Sequence, residues 1–251
     1  MRYYMKRFLM LFILALAAFG AAFAQDVNKI LAELDDLGDF GGKDFSAVYT
    51  IVSQKPGEKD SVTQVRMFRR DFKDQFTMVI LLPEVNKGQG YLREEDNVWF
   101  YDPTSRKFSF SSIKENIQNS EAKNSDLTRQ SLVEDYETVG VQDGMLGKFP
   151  VWIIQLKART TDVSYERLTM HVRKDRTMLL KQEAYSVSGR LMRTTLFPKY
   201  VDLGGKLMPS QILIIDELNP GERSQLTMTE QSVSTLPDRV FTKAFIEQVN
   251  K

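Results

Sequence analysis

The sequence predicts a mainly β protein with some helix (α+β), built on a strongly curved antiparallel sheet or barrel of about eleven strands. From Phe45 onward, apolar and polar residues alternate with period two, in runs separated by short polar turns such as Lys55-Pro56-Gly57. One run, Val98-Trp99-Phe100-Tyr101, is instead bulky and apolar at successive positions. Because successive strand residues point to opposite faces, this run predicts apolar material on both sides of the sheet. We expect a packed helix on one side and a cavity on the other.

The N-terminus has the features of a cleavable secretory signal. Arg2, Lys6 and Arg7 precede an apolar run over residues 8–19, and Ala22-Phe23-Ala24 forms a small-residue cleavage site. These features are typical of signal peptides, whereas a membrane-spanning helix needs about 20 apolar residues. We therefore expect cleavage after Ala24 and an exported mature protein, with an uncleaved anchor as the alternative. The chain has no cysteine, which excludes disulfides and lipid attachment at a cysteine.

The charge of the mature chain argues against nucleic-acid binding. Removal of residues 1–24 takes away three of the 34 basic residues and leaves 31 against 33 acidic residues, a net charge of −2. A nucleic-acid binder would show a clustered basic surface. The length suits one large β domain or two small ones, and no linker rich in Pro, Gly or Ser divides the chain. We predict a single domain over residues 25–251.

Amphipathic helices are predicted at both ends of the mature chain. Asp26 can cap the first helix and Gly38 can end it. Its apolar residues recur at helical spacing: Val27, Ile30, Leu31, Leu34 and Leu37. Asp238, after Pro237, can cap the last helix. That helix carries the apolar residues Val240, Phe241, Ala244, Phe245 and Val249. We expect both helices to pack on the sheet.

The connection over residues 113–137 is unusually long and polar. Connections of this length inside a compact domain are usually lids or disordered segments. Its few apolar residues include Ile113 and Ile117, which are four residues apart as on one helical face, followed by Leu127 and Leu132. We predict that two short helices in this connection form a mobile lid. A disordered surface loop is the alternative.

The residues of the usual catalytic and metal sites are missing from this sequence. The single histidine, His171, shares strand parity with Thr169 and Arg173, so it should face solvent. Without cysteine or a second histidine, a zinc site or a His-assisted nucleophile cannot be assembled in the usual way. The acidic runs Asp35-Asp36 and Glu94-Glu95-Asp96 fall at a helix end and in a turn, where solvated acids are expected. We predict no enzyme activity, no metal and no cofactor.

The chain resembles the outer-membrane lipoprotein-sorting family, the LolA-like periplasmic lipoprotein carriers. The blocks that carry the resemblance are GQGYLREEDNVWFYDP, beginning at Gly88, and LPDRVFTKAFIEQ, beginning at Leu236. The resemblance implies an open β-barrel around a hydrophobic cavity, closed by a helical lid. It also implies a monomer that takes an acylated lipoprotein or lipid from an inner-membrane transporter to an outer-membrane acceptor, touching membranes transiently.

The resemblance further implies that an arginine on an early strand bonds the lid backbone and closes the cavity. The nearest match is Arg70, and Arg69 is the second candidate. Asp71 stands where those carriers have proline, which leaves the choice between the two arginines open. The predicted cavity lining comes from apolar positions of several strands: Trp99, Trp152, Ile154, Leu168, Met170, Val172, Leu226 and Met228. In strands that are apolar on both faces, the sequence does not decide which parity lines the cavity.

Three functions are compatible with these patterns. The first is a periplasmic carrier of acyl chains that moves lipoproteins or lipids towards the outer membrane. The second is a regulatory, protein-interaction module that uses the same barrel, as in periplasmic stress sensors. The third is an accessory protein that delivers lipid to a dedicated exporter. The carrier explains both the two-sided apolar sheet and the export signal, and we take it as the leading hypothesis.

Overall fold

A computed structural model describes residues 27–94, 97–128, 131–161 and 163–249. The predicted signal peptide, residues 1–24, and the predicted cap Asp26 lie outside the described residues. The helix α1 covers residues 27–37, α2 covers Leu132–Asp135 and α3 covers Lys243–Gln248. Short 3₁₀ turns form at Asp71–Lys73, Glu84–Asn86, Asn124–Leu127 and Asp238–Phe241.

The described residues form thirteen strands. The first six are β1 (Asp44–Gln54), β2 (Ser61–Arg70), β3 (Gln75–Leu82), β4 (Gly90–Glu94), β5 (Asn97–Asp102) and β6 (Lys107–Ser111). The next four are β7 (Tyr136–Leu146), β8 (Phe149–Ala158), β9 (Arg167–Arg173) and β10 (Met178–Tyr185). The last three are β11 (Leu191–Leu203), β12 (Lys206–Asp216) and β13 (Arg223–Ser234).

All thirteen strands belong to one antiparallel sheet with the order β6-β5-β4-β3-β2-β1-β13-β12-β11-β10-β9-β8-β7. Sequence neighbours pair by hairpins, and β1 pairs with β13 in the middle of the sheet. The sheet is not closed, because β6 and β7 pair with one neighbour each and form its edges. The predicted mainly β, antiparallel and open architecture is confirmed, whereas closure into a barrel is not observed between the described strands.

The strand β7 was not predicted from the sequence. It contains Gly140, Asp143 and Gly144, which are residues that strands disfavour. As an edge strand with both faces largely solvated, it also lacks clear alternation of apolar residues. Pairing with β8 along its whole length, from Tyr136 opposite Ala158 to Leu146 opposite Phe149, supplies the order that the local sequence lacks.

One face of the sheet, here called the inner face, carries most of the core. In β1, Phe45, Ala47, Tyr49 and Ile51 point to this face and are buried. The cross-strand pairs Tyr49 with Met228 and Ile51 with Leu226 continue it into β13. On the far half of the sheet, the same face carries the pair of Ile154 and Met170. These two residues pack with Val27 and Leu31 of α1, so α1 lies on the inner face as the sequence predicts.

The opposite, outer face is covered over β3, β4 and β5 by the C-terminal segment. Ile246 of α3 is fully buried with Leu92 and Tyr101. The close approach explains Gly90, since a Cβ there would lie 2.8 Å from the backbone oxygen of Met78 and 3.1 Å from the Ile246 side chain. The single predicted C-terminal helix is divided at Thr242, whose side chain accepts a hydrogen bond from the Phe245 N–H and caps α3.

Candidate functional site

The connection between β6 and β7 crosses the inner face, because these strands are the two opposite edges of the sheet. We call residues 112–135 the strap. Ile117, Ala122 and Leu127 of the strap are buried in the same cluster as Met67 and Ile214 of the sheet, and Ile113 packs against that cluster. The strap therefore lies against the inner face along its described residues.

The strap is mostly irregular rather than two helices as predicted. A bridge between Asn116 and Lys123 and a hydrogen bond from the Ile117 N–H to the Ala122 oxygen hold its first half in a hairpin-like loop. This backbone pairing replaces the helical turn expected from the spacing of Ile113 and Ile117. The only helical turns among its described residues are the 3₁₀ turn Asn124–Leu127 and the single turn α2.

A cavity of about 150 Å³ lies between α1, the strap and the inner face. Its wall is mainly apolar with a few polar groups. The sheet contributes Tyr49, Arg69, Met170, Leu179, Phe197, Tyr200, Leu207, Met208, Pro209 and Ile212. The rest of the wall comes from Leu34, Asp35, Leu37 and Gly38 in and after α1, and from Asp126, Thr128 and Leu132 of the strap. Met170 from the predicted lining, and Arg69 and Leu132 from the predicted lid, are therefore at this cavity.

Six of the other predicted lining residues share the inner face with the cavity but do not touch it. Ile154, Leu168 and Val172 are buried beside Met170 in the cluster that α1 covers, and Trp152 packs against that cluster. Leu226 and Met228 are buried in the cluster that the strap covers. Side chains of α1 and the strap already cover these positions.

Trp99 lies on the outer face and is a correction to the predicted lining. Its ring packs with the α3 cluster, and the Lys243 Nζ lies 3.7 Å from the ring centroid. In the same strand, Val98 and Phe100 face inward. Both parities of this strand are apolar, and long-range packing with the C-terminal segment decides which one lies on the inner face.

Arg69 joins three parts of the site. Its Nη1 donates to the Leu127 carbonyl of the strap, and its Nη2 donates to the Gly38 carbonyl after α1, both at 3.3 Å. Its Nε and Nη2 also donate to the two Asp71 carboxylate oxygens at 3.0 and 2.7 Å. Burial opposes the charge of Arg69, but the Asp71 carboxylate outweighs burial and raises the pKa of the guanidinium. The cation is thus held at the edge of the cavity, in contact with the strap backbone.

Arg70, the first candidate for lid closure, points to the outer face. Its Nε and Nη2 donate to the two carboxylate oxygens of Asp44 at 2.9 and 3.0 Å, and Nη2 also donates to the Leu236 carbonyl at 2.7 Å. Its guanidinium lies 4.4 Å from the centre of the Phe241 ring. These contacts tie the C-terminal segment to β1 and β2. Adjacent strand residues face opposite sides, so Arg69 is the arginine that meets the strap.

Two tyrosines and one aspartate are further polar groups around the cavity. Burial raises the pKa of Tyr49 to about 12, so its hydroxyl stays neutral. Burial likewise raises the pKa of Tyr200, whose hydroxyl donates to the Leu179 carbonyl. Asp35 of α1 accepts hydrogen bonds from the Leu132 and Val133 N–H groups at 2.8 and 3.0 Å. Asp35 therefore caps α2 and fastens α1 to the strap.

A second buried arginine meets the strap, and no pattern in the sequence indicates it. Arg193 of β11 forms an ion pair with Asp126 of the strap, with 2.8 Å between Nη2 and Oδ1. The side chains of Arg193 and Asp126 are 7% and 15% exposed. A lone charged residue in a strand normally indicates a solvated position, and the strand-pairing register alone turns Arg193 inward.

Three carboxylates lie close together where the strap meets the β12–β13 hairpin. One oxygen each of Glu121, Asp216 and Glu222 lies within 4.8 Å of the others. Burial, followed by repulsion from Asp216 and Glu222, raises the pKa of Glu121. Lys55 offsets part of this repulsion through an ion pair with Glu222 at 3.2 Å.

His171 lies on the outer face, as its strand parity predicts, but it is largely covered. Its side chain is 13% exposed, and its Nε2 lies 3.4 Å from the Glu183 carboxylate. Burial alone would raise the pKa of Glu183, but hydrogen bonds from Lys181 and His171 lower it. The expected solvent exposure of His171 is therefore wrong, because neighbouring long side chains cover the ring.

Comparison with solved structures identifies the fold. A LolA superfamily protein from Nitrosomonas europaea is 23% identical over 88% of this chain and 98% of that chain, with a TM-score of 0.76. A DUF1329 family protein from Desulfovibrio piger is 17% identical over 89% and 98%, with a TM-score of 0.78. An outer membrane lipoprotein-sorting protein domain from Vibrio parahaemolyticus is 18% identical over 88% and 97%, with a TM-score of 0.75. The open sheet crossed by a strap is thus the LolA-like fold, and the resemblance predicted from the sequence is confirmed.

The family itself follows from the sequence match. A family model described as "Uncharacterized protein" matches residues 73–248, and the chain belongs to this family. No curated protein matches the chain. Within the described residues, no helix has the length and apolar character needed to cross a membrane.

Proposed function

We propose that this protein is a periplasmic carrier that binds the acyl chains of lipoproteins or lipids and transfers them towards the outer membrane. The observation that carries the proposal is the apolar cavity between α1, the strap and the inner face. The LolA-like fold supports it, since two of the similar structures are described as LolA superfamily and lipoprotein-sorting proteins. In this proposal the protein acts as a monomer, by binding rather than catalysis. It receives cargo from an inner-membrane transporter and passes it to an outer-membrane acceptor.

The physical task explains why a carrier needs such a site. Each buried CH₂ group gains about 0.8 kcal/mol, so a long acyl chain leaves a membrane slowly unless another apolar surface replaces the bilayer. A cavity of about 150 Å³ is smaller than the roughly 300–1,000 Å³ typical of ligand pockets. Cargo binding therefore requires the strap or α1 to move away. The apolar residues beneath them, including Ile154, Leu168 and Leu226, would then line an enlarged cavity.

The strap is the proposed lid, and Arg69 is its proposed latch. The two bonds from Arg69 to backbone carbonyls are long, at 3.3 Å, whereas its bonds to Asp71 are shorter. Asp71 directly follows β2 and is not part of the strap. Arg69 therefore keeps this carboxylate partner when the strap moves. Opening of the strap thus breaks the one long bond to the Leu127 carbonyl without leaving this arginine unpaired. A latch of this kind can hold the cavity closed and still release.

The test is native mass spectrometry with lipid extraction on residues 25–251 purified from a periplasm. Acyl-bearing species should co-purify, and a fluorescent acyl probe should bind the protein after its lipid is removed. Leu179→Trp should weaken probe binding because the larger side chain fills the cavity that Leu179 lines. Phe110→Trp is the matched control, because Phe110 is 67% exposed and lies on the other face.

The outcomes separate the carrier from a protein-interaction module. A lipid-free protein that also fails to bind the probe would remove the carrier proposal. Equal loss of binding in both variants would show that the probe reports on general surface attachment. Thermal unfolding of each variant checks that weaker binding does not come from loss of the fold.

A further inference from the structure

Arg193 is buried, and the carboxylate that balances its charge belongs to the strap. Apart from the ion pair with Asp126, its contacts are neutral. Its Nε donates to the Thr195 hydroxyl at 3.1 Å, and its Nη1 lies 3.3 Å from the Tyr165 hydroxyl and 3.5 Å from the Glu121 carbonyl. Among the described residues, Asp126 is the one carboxylate within ion-pair distance of Arg193.

Asp126 lies between Arg193 and the cavity. The Asp126 side chain is part of the cavity wall, whereas Arg193 is not. The strap holds Asp126 in place, since the Asp126 carboxylate also accepts a hydrogen bond from the Lys123 N–H at 2.7 Å. Movement of the strap away from the sheet would therefore remove Asp126 and open Arg193 to the cavity.

The two arginines that meet the strap differ in what opening does to them. Arg69 keeps Asp71, which lies two residues away in the chain. Arg193 has no such partner on its own strand. Asp216 lies opposite Arg193 on β12, but its carboxylate already accepts bonds from the Leu218 N–H and from the backbone and side chain of Asn219. Opening thus leaves Arg193 as a buried cation without its anion, which is strongly unfavourable.

We propose that the acyl ligand carries an anionic group, a carboxylate or a phosphate, which replaces Asp126 on Arg193 when the strap opens. This inference rests on the carrier function proposed above and specifies its ligand. The exchange keeps Arg193 paired in both states, so it lowers the cost of opening only when an acidic ligand is present. The acyl chain then occupies the apolar space beside Met170 and Ile212, which line the cavity.

The neighbourhood of Arg193 favours an anion further. Lys123 of the strap lies close to Tyr165, with 5.4 Å between its Nζ and the ring centroid. Burial, together with the nearby Arg193 charge, lowers the pKa of Lys123. Two cations therefore lie close to the Tyr165 ring behind this part of the wall, and the Arg193 guanidinium lies 5.8 Å from the ring centroid.

The test compares hexadecanoic acid with its methyl ester by displacement of an uncharged fluorescent acyl probe at pH 8. The wild-type protein should bind the acid at least about tenfold more tightly than the ester, as expected for a hydrogen-bonded charge pair. Arg193→Met should abolish this preference. Arg167→Met is the matched control, since Arg167 is exposed on β9, and it should keep the preference.

A second variant makes the test independent of how well Arg193→Met folds. Asp126→Asn keeps the shape of the strap residue but removes the competing charge, so the affinity for the acid should rise several-fold and that for the ester should not. An unchanged acid affinity in this variant would overturn the inference.

The remaining outcomes separate this inference from the carrier function. Equal binding of acid and ester by the wild type would overturn the anionic ligand and leave the carrier standing. Binding of neither would remove the carrier function itself. Displacement of the probe by millimolar inorganic phosphate alone would show that Arg193 binds a free anion, and this would also overturn the proposal.

Discussion

Replacement of Ile117 by alanine should loosen the strap without altering the sheet beneath it. Ile117 belongs to the strap, yet its side chain is fully buried in the inner-face cluster. It is therefore the main apolar anchor of the first half of the strap. If the strap opens as a unit, Ile117 becomes exposed in the open state, and its removal destabilises the closed state relative to the open one.

The magnitude follows from the groups removed. Isoleucine loses three carbon groups on conversion to alanine, and each is worth about 0.8 kcal/mol when buried, or about 2.4 kcal/mol together. Measured losses for such core substitutions run from about 2 to 5 kcal/mol because a cavity is left behind. A free-energy difference of about 1.4 kcal/mol changes an equilibrium constant tenfold, so the open population should rise at least about 50-fold.

Hydrogen exchange of the strap amides measures this population. The amides of Glu121 and Leu132 donate to groups outside the strap, the Ser224 hydroxyl at 2.9 Å and the Asp35 carboxylate at 2.8 Å, so they lose these acceptors and exchange when the strap opens. Their exchange in Ile117→Ala should be about 50-fold faster than in the wild type, by the same free energy.

Ile246→Ala is the matched control. Ile246 is equally buried, but it lies in α3 on the outer face and stays covered when the strap opens. This variant should lower the global free energy of unfolding and leave strap exchange unchanged. The reasoning is refuted if both variants speed strap exchange alike, because the strap would then open only when the whole domain unfolds.

Three further predictions concern stability. Arg70→Met should lower the free energy of unfolding by about 3–5 kcal/mol, measured by chemical denaturation, because it leaves the buried Asp44 carboxylate without its cation. Hydrogen exchange of the strap should change only as far as global unfolding changes. A loss of unfolding free energy below about 1 kcal/mol contradicts this prediction. Thr242→Ala should lower the free energy of unfolding by about 1 kcal/mol because the Phe245 N–H loses its cap, and Thr242→Ser should restore most of it. The pKa of Glu121 is raised in the folded protein above the ordinary value of 4.5 for a glutamate. The contribution of Glu121 to stability is therefore present at low pH, and it is lost as the pH rises from 4.5 through the raised pKa. Glu121→Gln should therefore gain in melting temperature relative to the wild type as pH rises from 4 to 7, and a flat difference would contradict the assignment.

Two different kinds of tether hold the strap, and this has a consequence for function. Arg69 binds the strap through the neutral Leu127 carbonyl and carries its own counter-ion, so its bond with the strap is weak and independent of the ligand. Arg193 binds it through a charge pair that opening breaks. A strap fastened in this way can remain closed over a small cavity and yet respond to a ligand of suitable charge.

The sequence alone predicted the class of fold because its evidence is local. Period-two alternation and short polar turns identify strands, and helical spacing identifies α1 at residues 27–37. The same local evidence failed for β7, whose glycines and solvated faces carry no pattern. It also failed for the helices expected in the strap, where a backbone bridge between Asn116 and Lys123 takes the place of a helical turn.

The placement of the candidate site depended on tertiary structure. Arg69 and Arg70 are adjacent in sequence, and both are basic residues in one strand, so local pattern cannot separate their roles. The faces are assigned by contacts with residues 26 to 166 positions away in the chain: Asp44 and the C-terminal segment hold Arg70 outside, and the strap meets Arg69 inside. Likewise, Asp126 and Arg193 come together only because β11 lies in the sheet beneath the strap. Strand alternation determines that neighbours point apart, and long-range packing determines which of them faces the cavity.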